Sequence, residues 1–270
     1  MLVVSVVSLK GGVGKTSVTL GLAGAAWERG ASVLVLDLDP QGNATTVLDP
    51  LEVRFSASDV LADPRAELLA HAIAQSGWGP SVAVVAADSL LERHNALAGR
   101  DSTLHLRIAL SGLSGWDVVL IDTPPSLAGL TRNALVAANF ALVVTEPSLF
   151  ALQGAQAALE AIDVVRGDNL RLRPAGIVVN KVRGQSTEHR YRLEELRTAY
   201  GDLVLHPPLP DRAAIQQAEG ACVPVQAWRS PGARELADAF DDLFDQVMAL
   251  PSAELGPLLG RDRSTREESR

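Results

Sequence analysis

Several residue types are scarce in this chain of 270 residues, and each scarcity narrows what the protein can be. The single cysteine, Cys222, excludes an intrachain disulfide framework, a cysteine-rich zinc site and an iron–sulfur cluster held within one chain. No run of about 18 uncharged apolar residues occurs, so we expect no membrane-spanning helix. The opening apolar run, residues 2–7, is short and has no basic flank, which predicts a buried strand and not a signal peptide. We therefore expect a cytoplasmic protein.

Positive charge is also in deficit. The formal net charge is -8, which argues against a nucleic-acid binder that works by bulk charge and leaves a local basic patch open. Of the 24 basic side chains only three are lysines, Lys10, Lys15 and Lys181. Two of them lie in one glycine-rich loop, where a compact ammonium group is not interchangeable with a guanidinium. With 47% hydrophobic residues the chain can build a large core.

Apolar runs alternate with helical patterns along the chain. We predict strands at residues 2–7, 32–38, 82–86, 117–121, 141–145 and 176–180, with a weaker seventh at 203–205. Helical patterns cover residues 15–29, 90–111 (one helix or two), 131–138, 152–166, 188–200, 212–219 and 233–250. The alternation predicts an α/β fold with a doubly wound, mostly parallel sheet flanked by helices. We expect one domain over residues 1–250 and a partly disordered tail over residues 251–270.

The most specific motif is KGGVGKT at residues 10–16, which follows the first predicted strand and begins a helix. Successive glycines let backbone amides converge on an anion, and the helix dipole adds positive potential there. In such a loop Lys15 supplies charge at the β- and γ-phosphates, and the Thr16 hydroxyl binds Mg²⁺. The general phosphate-loop pattern has a glycine where this chain has Leu9. The loop therefore predicts a nucleoside triphosphate site of an atypical kind.

Two further segments place carboxylates at the carboxyl ends of predicted strands, where ligands bind in parallel sheets. Asp37 and Asp39 end the second strand, just before a proline and a glycine that release a loop. Asp122 ends the apolar run at residues 116–122, a pattern in which a buried strand holds one acid near Mg²⁺. Read alone, either segment is compatible with a turn or capping aspartate. Beside the glycine loop, both indicate a metal-dependent phosphate site.

The heptad at residues 10–16 resembles the deviant Walker A loop of the ParA/MinD family of P-loop ATPases, whose hallmark is a second lysine at the start of the loop, here Lys10. The resemblance implies ATP and Mg²⁺ as ligands and a homodimer that forms when ATP is bound. In such a dimer Lys10 acts in trans on the partner's phosphates. Residues 37–45 are similar to the family's switch I, which implies that Asp39 positions the attacking water and that Asp37 supports the metal region. The run ending in Asp122 is similar to Walker B and switch II.

The same resemblance implies an adenine site near the end of the chain. Asn180 ends the predicted strand at residues 176–180, where the family uses an asparagine to bind adenine; a strand-ending turn residue is the competing interpretation. Residues 208–212 look like the loop that closes over the base, which makes Pro210 and Asp211 candidate contacts, although the family commonly has Pro-Arg where this chain has Pro-Asp-Arg. The predicted nucleotide contacts are Lys10, Gly11, Gly12, Val13, Gly14, Lys15, Thr16, Ser17, Asn180, Pro210 and Asp211. The predicted catalytic residues are Lys10, Lys15 and Asp39, and the predicted metal-site residues are Thr16, Asp39 and Asp122.

Further scarcities separate the branches of this family. One cysteine cannot supply the ligands of the iron–sulfur members, and two tyrosines do not make the C-terminal cluster of the related tyrosine kinases. MinD proteins end in a basic amphipathic membrane helix, whereas the pattern at residues 233–250 sets an apolar stripe opposite acidic residues and predicts packing on the chain's own sheet.

The resemblance therefore favours a ParA-type partition or cargo-positioning ATPase that is nucleoid-associated, binds DNA non-specifically and does not bind membranes. A ParB-like or cargo-adaptor protein would stimulate its hydrolysis. Candidate DNA contacts are Arg190, Arg192, Arg197, Arg229 and Arg234, with a solvated surface as the competing interpretation. Two other classes stay open: a MinD-like membrane-associated positioning ATPase, and a metabolic P-loop ligase or carrier of the same fold.

Overall fold

The computed structural model describes residues 1–96 and 101–250. Its strands are β1 Leu2–Val7, β2 Val33–Asp37, β3 Ile73–Gln75, β4 Val82–Val85, β5 Val118–Asp122, β6 Phe140–Thr145 and β7 Arg173–Val179. They form one seven-stranded sheet in the order β3-β4-β2-β5-β1-β6-β7. Every neighbouring pair is parallel except β3 with β4. The mostly parallel α/β sheet predicted from the sequence is confirmed.

Helices flank this sheet. They are α1 Lys15–Glu28, α2 Asn43–Leu48, α3 Ala57–Ala62, α4 Ala66–Ala72, α5 Glu92–Asn95, α6 His105–Ala109, α7 Gly129–Ala137, α8 Ala151–Val165, α9 Thr187–Tyr200, α10 Ala213–Gly220 and α11 Pro231–Met248. The strands β1, β2, β4, β5 and β6 are buried at every residue, as expected for parallel strands covered on both faces. Alternate residues of one strand enter different apolar clusters, Val3 in one and Val4 in the other.

One predicted strand is wrong, and one observed strand was not predicted. Residues 203–205 form no strand: Gly201–Leu203 is a 3₁₀ turn, and Val204 makes one isolated bridge to Ile177. Pro207 and Pro208 follow at once, and neither has an N–H to continue a ladder. The sequence pattern also does not predict β3, because it is three residues long and lies antiparallel at the sheet edge.

Predictions about helices fail mainly between residues 43 and 111. The pattern at residues 90–111 corresponds to the short helices α5 and α6 with a 3₁₀ turn before each, and residues 97–100 lie outside the described part. The sequence analysis does not predict α2, α3 or α4. Each is six or seven residues long, too short for a clear helical period. The predicted tail, residues 251–270, also lies outside the described residues.

The last described helix, α11, packs within the fold. Its apolar stripe is buried against α1, where a Cβ placed on Gly21 would lie 2.2 Å from the ring of Phe240. Arg29, just after α1, pairs with Asp241 at 2.6 Å and with Asp245 on the acidic side of α11. The predicted packing of this helix is therefore confirmed. In the described part of the chain, no helix combines the length and the apolarity needed to cross a bilayer.

The order of the strands determines where a ligand can bind. The loops that follow β1, β2, β5, β6 and β7 all leave the same edge of the sheet, because these strands run parallel. β1 lies in the middle of this group, between β5 and β6. This is the edge at which doubly wound sheets bind their ligands, and it carries the sequence motifs.

Candidate functional site

The glycine loop connects β1 to α1 and ends in a backbone conformation that favours glycine. Gly14 is the N-cap residue of α1, with φ of 90°, and Gly12 has φ of 77°. A Cβ on Gly14 would lie 2.3 Å from the Asn180 amide nitrogen, so a side chain at this position would meet the neighbouring loop. Helix α1 begins directly after Gly14 and has no side-chain cap, which leaves its first amides available to an anion.

The lysine at the start of α1 is buried beside two carboxylates. Lys15 is 7% exposed. Burial lowers its pKa, and the charges of Asp122 and Asp39 oppose that shift. A buried ammonium next to a helix N-terminus makes a concentrated positive site for a phosphate group. The structure thus places Lys15 at the start of α1, beside Asp122 and Asp39.

A hydroxyl and a carboxylate meet at the centre of the site. The Thr16 hydroxyl donates to Asp122 Oδ2 at 2.8 Å, and the Thr19 hydroxyl donates to Asp122 Oδ1 at 3.1 Å. A hydroxyl beside a buried carboxylate fits Mg²⁺, which takes few protein oxygens and completes its shell with phosphates and water. The structure brings together Thr16 and Asp122, two of the three predicted metal-site residues.

Two carboxylates lie side by side on neighbouring strands. Asp37 ends β2 and Asp122 ends β5, and the two are partners in the register of this parallel pair. Both are fully buried. Burial, and after it the charge of Asp37, raises the pKa of Asp122 to about 7. Burial likewise raises the pKa of Asp37 to about 6, although hydrogen bonds from Thr45 oppose the shift. Two adjacent buried acids favour the binding of a cation between or beside them.

The loop after β2 is held in place by hydrogen bonds to these acids. Asp39 is 9% exposed; its backbone N–H donates to Asp37 Oδ1 at 3.1 Å, and its own Oδ1 accepts from the Gln41 N–H at 3.0 Å. Thr45 donates to Asp37 Oδ2 from its hydroxyl at 2.7 Å and from its N–H at 2.8 Å. The Thr45 hydroxyl also accepts from the Ala87 N–H at 2.9 Å. Asp39 is therefore fixed near the carboxylate pair and close enough to Lys15 to affect its charge.

The predicted adenine residues lie together beside the glycine loop. Asn180 Nδ2 donates to the Val13 carbonyl at 2.8 Å, and the Lys181 ammonium donates to the Gly12 carbonyl at 2.5 Å. The loop containing Pro210 runs alongside residue 182, with a bridge between Val182 and Pro210. The next residue, Asp211, accepts from Arg183 Nε at 2.7 Å. In this structure Asn180 is thus part of the support of the glycine loop.

The other loop lysine does not point at the site of its own chain. Lys10 Nζ donates to Glu146 Oε1, the residue just after β6, and the two form an ion pair. The Lys10 side chain is 48% exposed. The two loop lysines therefore differ: Lys15 is buried beside Asp122 and Asp39, and Lys10 stays at the surface.

The candidate DNA contacts fall into two groups. In α9, Arg192 pairs with Glu188 and Glu195, both at 2.7 Å, and its side chain is only 17% exposed. The other two on α9 make weaker contacts, Arg190 with Thr187 at 3.4 Å and Arg197 with His206 at 3.3 Å. Arg229 and Arg234 are exposed and line a groove of about 650 Å³ next to Trp228. Arg192 is the member of this set most occupied by its own helix.

The sequence motifs do not identify several residues of the site. Thr19 lies three residues after Thr16, a spacing that puts both on the same face of α1 and could have placed Thr19 in the site. Thr45 and Glu146 have no local signal, because their partners come from distant segments. Glu219 of α10 accepts a hydrogen bond from the Ser17 hydroxyl, and burial raises its pKa. Its Oε1 is buried without a hydrogen-bond partner.

Comparison with known proteins gives consistent similarities. A sequence profile described as "AAA domain" matches residues 1–173. The chain is 34% identical over 249 residues to the chromosome-partitioning ATPase Soj of Thermus thermophilus, covering 91% of this chain and 95% of the relative. It is 33% identical over 244 residues to protein IncC of Escherichia coli, covering 88% of this chain but only 66% of that relative, just under two thirds of its length.

A solved structure is similar over almost its whole length. It is cobyrinic acid a,c-diamide synthase from Mycobacterium smegmatis with bound ADP and magnesium. The identity is 30%, the TM-score is 0.75, and the match covers 92% of this chain and 96% of that one. The profile match over residues 1–173 includes the glycine loop and the segments that carry the aspartates.

Proposed function

Because this chain belongs to the ParA/MinD family of P-loop ATPases, we propose that it is a ParA-type switch, which dimerises around ATP, binds DNA non-specifically and partitions or positions DNA or another cargo. ATP hydrolysis and the ligands ATP and Mg²⁺ follow from the family and from the fit of the site to them. The dimer, DNA and nucleoid association, and an adaptor that stimulates hydrolysis are the parts that require experiment. The observation that carries the proposal is the contrast between a buried Lys15 and a surface Lys10 in one loop.

The residues of one chain divide the work of holding the nucleotide. The amides at the start of α1 and the Lys15 ammonium bind and neutralise the β- and γ-phosphates. Thr16 and Asp122 would hold Mg²⁺, which would supply charge stabilisation to the phosphates when bound. Asn180 and the loop at Pro210 form the adenine end of the site. Asp39 orients the attacking water, because it is the remaining carboxylate beside Lys15 that is not fully buried.

Lys10 completes the site of a second copy. Its ammonium lies at the surface and contacts no atom of its own phosphate loop in the hydrogen bonds and ion pairs of the described residues. In a dimer that joins the two carboxyl-edge faces, this ammonium would meet the partner's triphosphate and neutralise charge that develops in the transition state. Catalysis of phosphoryl transfer rests mainly on such positioning and electrostatics.

Size measurement by light scattering tests the dimer. Wild type with ATP and Mg²⁺ should dimerise transiently, Asp39→Ala should accumulate as a dimer, and Lys10→Ala should do neither. Monomers in every case, at high protein concentration, would contradict the proposal. Asp202→Asn, an exposed acid outside the site, serves as the matched control and should behave as wild type.

DNA binding is tested separately. It should require ATP, weaken steeply with salt, and fall when Arg229 or Arg234 is changed to glutamate. Arg54→Glu, an exposed arginine in the loop before α3, is the control. Binding that ignores nucleotide would argue against a switch. Association with anionic liposomes under ATP would favour the MinD-like alternative instead.

A metabolic role is the second candidate, because the similar solved structure carries the name of a diamide synthase. That role predicts ATP turnover that depends on a small carboxylate substrate and an amine donor, and the absence of any effect of DNA. Turnover measured with DNA alone and with cobyrinic acid plus ammonium as the amine donor distinguishes the two roles.

A further inference from the structure

We propose that Glu146 holds Lys10 within its own chain and thereby sets the threshold for the ATP-dependent dimer. This inference rests on the proposed function, in which Lys10 acts on the partner's nucleotide. Glu146 Oε1 is the acceptor of the Lys10 ammonium in this structure. An ammonium engaged by a carboxylate of its own chain is not free to neutralise the phosphates of another.

The fold places these two side chains next to each other. β1 and β6 are parallel neighbours, with Val7 opposite Val143 at the end of their register. Lys10 follows β1 and Glu146 follows β6, so both leave the same edge of the sheet. Pro147 comes next, and the Ser148 N–H donates to the Glu146 carbonyl at 2.8 Å, which makes a tight turn after the strand. The carboxylate is thus held at a defined place beside the glycine loop.

Partial exposure allows the pair to open. The Lys10 side chain is 48% exposed and the Glu146 side chain is 26% exposed. Exposed ion pairs are weak, so each shifts an equilibrium by up to about fivefold. A symmetric dimer releases two such pairs, and the combined effect on its dissociation constant is up to about 25-fold. An ion pair of this strength weakens the dimer without preventing it, because the triphosphate carries more negative charge than Glu146 and still attracts the Lys10 ammonium more strongly.

Lys181 and Arg183 lie near Glu146, and each has a partner of its own. Glu146 lines a cavity of about 260 Å³ together with Lys181, Arg183 and Asp211. Arg183 is paired with Asp211 there, and the Lys181 ammonium is bound to the Gly12 carbonyl. Lys10 is therefore the cation directly paired with Glu146 among the ion pairs of the described residues. Removal of the carboxylate should free Lys10 and leave Lys181 in its contact.

The three lysines of the chain make a direct measurement possible. Acetylation of the nucleotide-free protein, followed by mass spectrometry, reports the reactivity of Lys10, Lys15 and Lys181 separately. In Glu146→Gln the rate at Lys10 should rise by up to about fivefold, while the rate at Lys181 stays as in wild type. Equal rates at Lys10 in the two proteins, or an equal rise at both lysines, would overturn the proposal.

The dimer provides the functional measurement. With a non-hydrolysable ATP analogue and Mg²⁺, Glu146→Gln should tighten the dimer by up to about 25-fold by analytical ultracentrifugation. Glu146→Ala should tighten it too, whereas a loss of folding can only weaken it. Asp163→Asn, which removes a surface ion pair with Arg166 on α8, is the control and should leave the dimer unchanged.

The possible outcomes separate the two proposals. A wild-type dimer that Glu146→Gln does not tighten, or weakens, contradicts the role of Glu146 and leaves the proposed function intact. No dimer in either protein contradicts the proposed function, and with it the role of Glu146. A tighter dimer together with a more reactive Lys10 supports both.

Discussion

Replacement of Asp122 by asparagine should stabilise the metal-free, nucleotide-free protein relative to wild type more at pH 8 than at pH 5. Asp122 and Asp37 are register partners at the ends of neighbouring strands, and both are fully buried. The pKa of Asp122 rises from 3.8 to about 7 because of burial and the charge of Asp37. Asparagine keeps the shape, offers an oxygen to Thr19 and removes the charge.

The magnitude follows from linkage. A carboxyl whose pKa is raised on folding gives stability that is fully present below its unfolded value and is lost as pH rises through the folded value. For Asp122 that window runs from about pH 4 to about pH 7. Between pH 5 and pH 8 the loss amounts to about 2–3 kcal/mol for this group. Titrating groups outside the pair contribute to both profiles, so the difference between the wild-type and variant profiles isolates the titration of Asp122 together with Asp37.

Urea unfolding with EDTA, at half-unit steps from pH 5 to pH 8, measures this difference. The free energy of unfolding of Asp122→Asn minus that of wild type should rise by about 2–3 kcal/mol across the range. Asp202→Asn, an exposed acid, should give a profile parallel to wild type. Parallel profiles for Asp122→Asn would refute the reasoning that these two acids are strained by burial.

Three other predictions concern packing, anchoring and ligand. Gly21→Ala should lower the free energy of unfolding by about 1–3 kcal/mol in thermal or urea denaturation, because its Cβ would lie 2.2 Å from the Phe240 ring. In contrast, a Cβ on Gly154 of α8 would meet no atom within 4 Å, so Gly154→Ala should raise the free energy of unfolding by about 0.5–1 kcal/mol. Thr45→Val should cost about 1–3 kcal/mol in urea, because it removes the hydroxyl that joins Asp37 to the loop before α5, and an unchanged midpoint would contradict that link. Mg²⁺ with ADP should raise the melting temperature more at pH 8 than at pH 5.5, because Asp37 and Asp122 must be ionised to bind the cation. An equal rise at both pH values would contradict this prediction.

The sequence was most informative where chemistry depends on short local patterns. The glycine loop, Lys15, Thr16 and the two strand-ending acids each belong to a contiguous motif, and the parallel sheet brings those motifs to one edge. Apolar strands with both faces covered were predictable for the same reason. The residues predicted to contact adenine also lie together, although Asn180 supports the glycine loop in this structure.

Pairings between distant segments were not predictable from the sequence. Lys10 and Glu146 are 136 residues apart, and no local rule joins them. Thr45 binds Asp37 only because the loop after β2 folds back over the strand end. The ion pairs of Arg192 depend on side-chain directions on α9, which give an arginine predicted to contact DNA two acidic partners instead. The strand at residues 203–205 failed because the prolines that follow cannot donate to a ladder.

The central claim is that Lys10 acts on the nucleotide of the partner subunit, and a mixing experiment tests it most directly. Lys10→Ala lacks the lysine but keeps Asp39, and Asp39→Ala lacks the acid but keeps the lysine. If Lys10 works across the dimer, the mixed dimer keeps one of the two lysines and contains one complete site, so an equal mixture should regain ATP turnover although each variant alone is inactive. If the mixture forms dimers but stays as inactive as its components, Lys10 does not act on the partner's nucleotide, and the proposed switch is wrong.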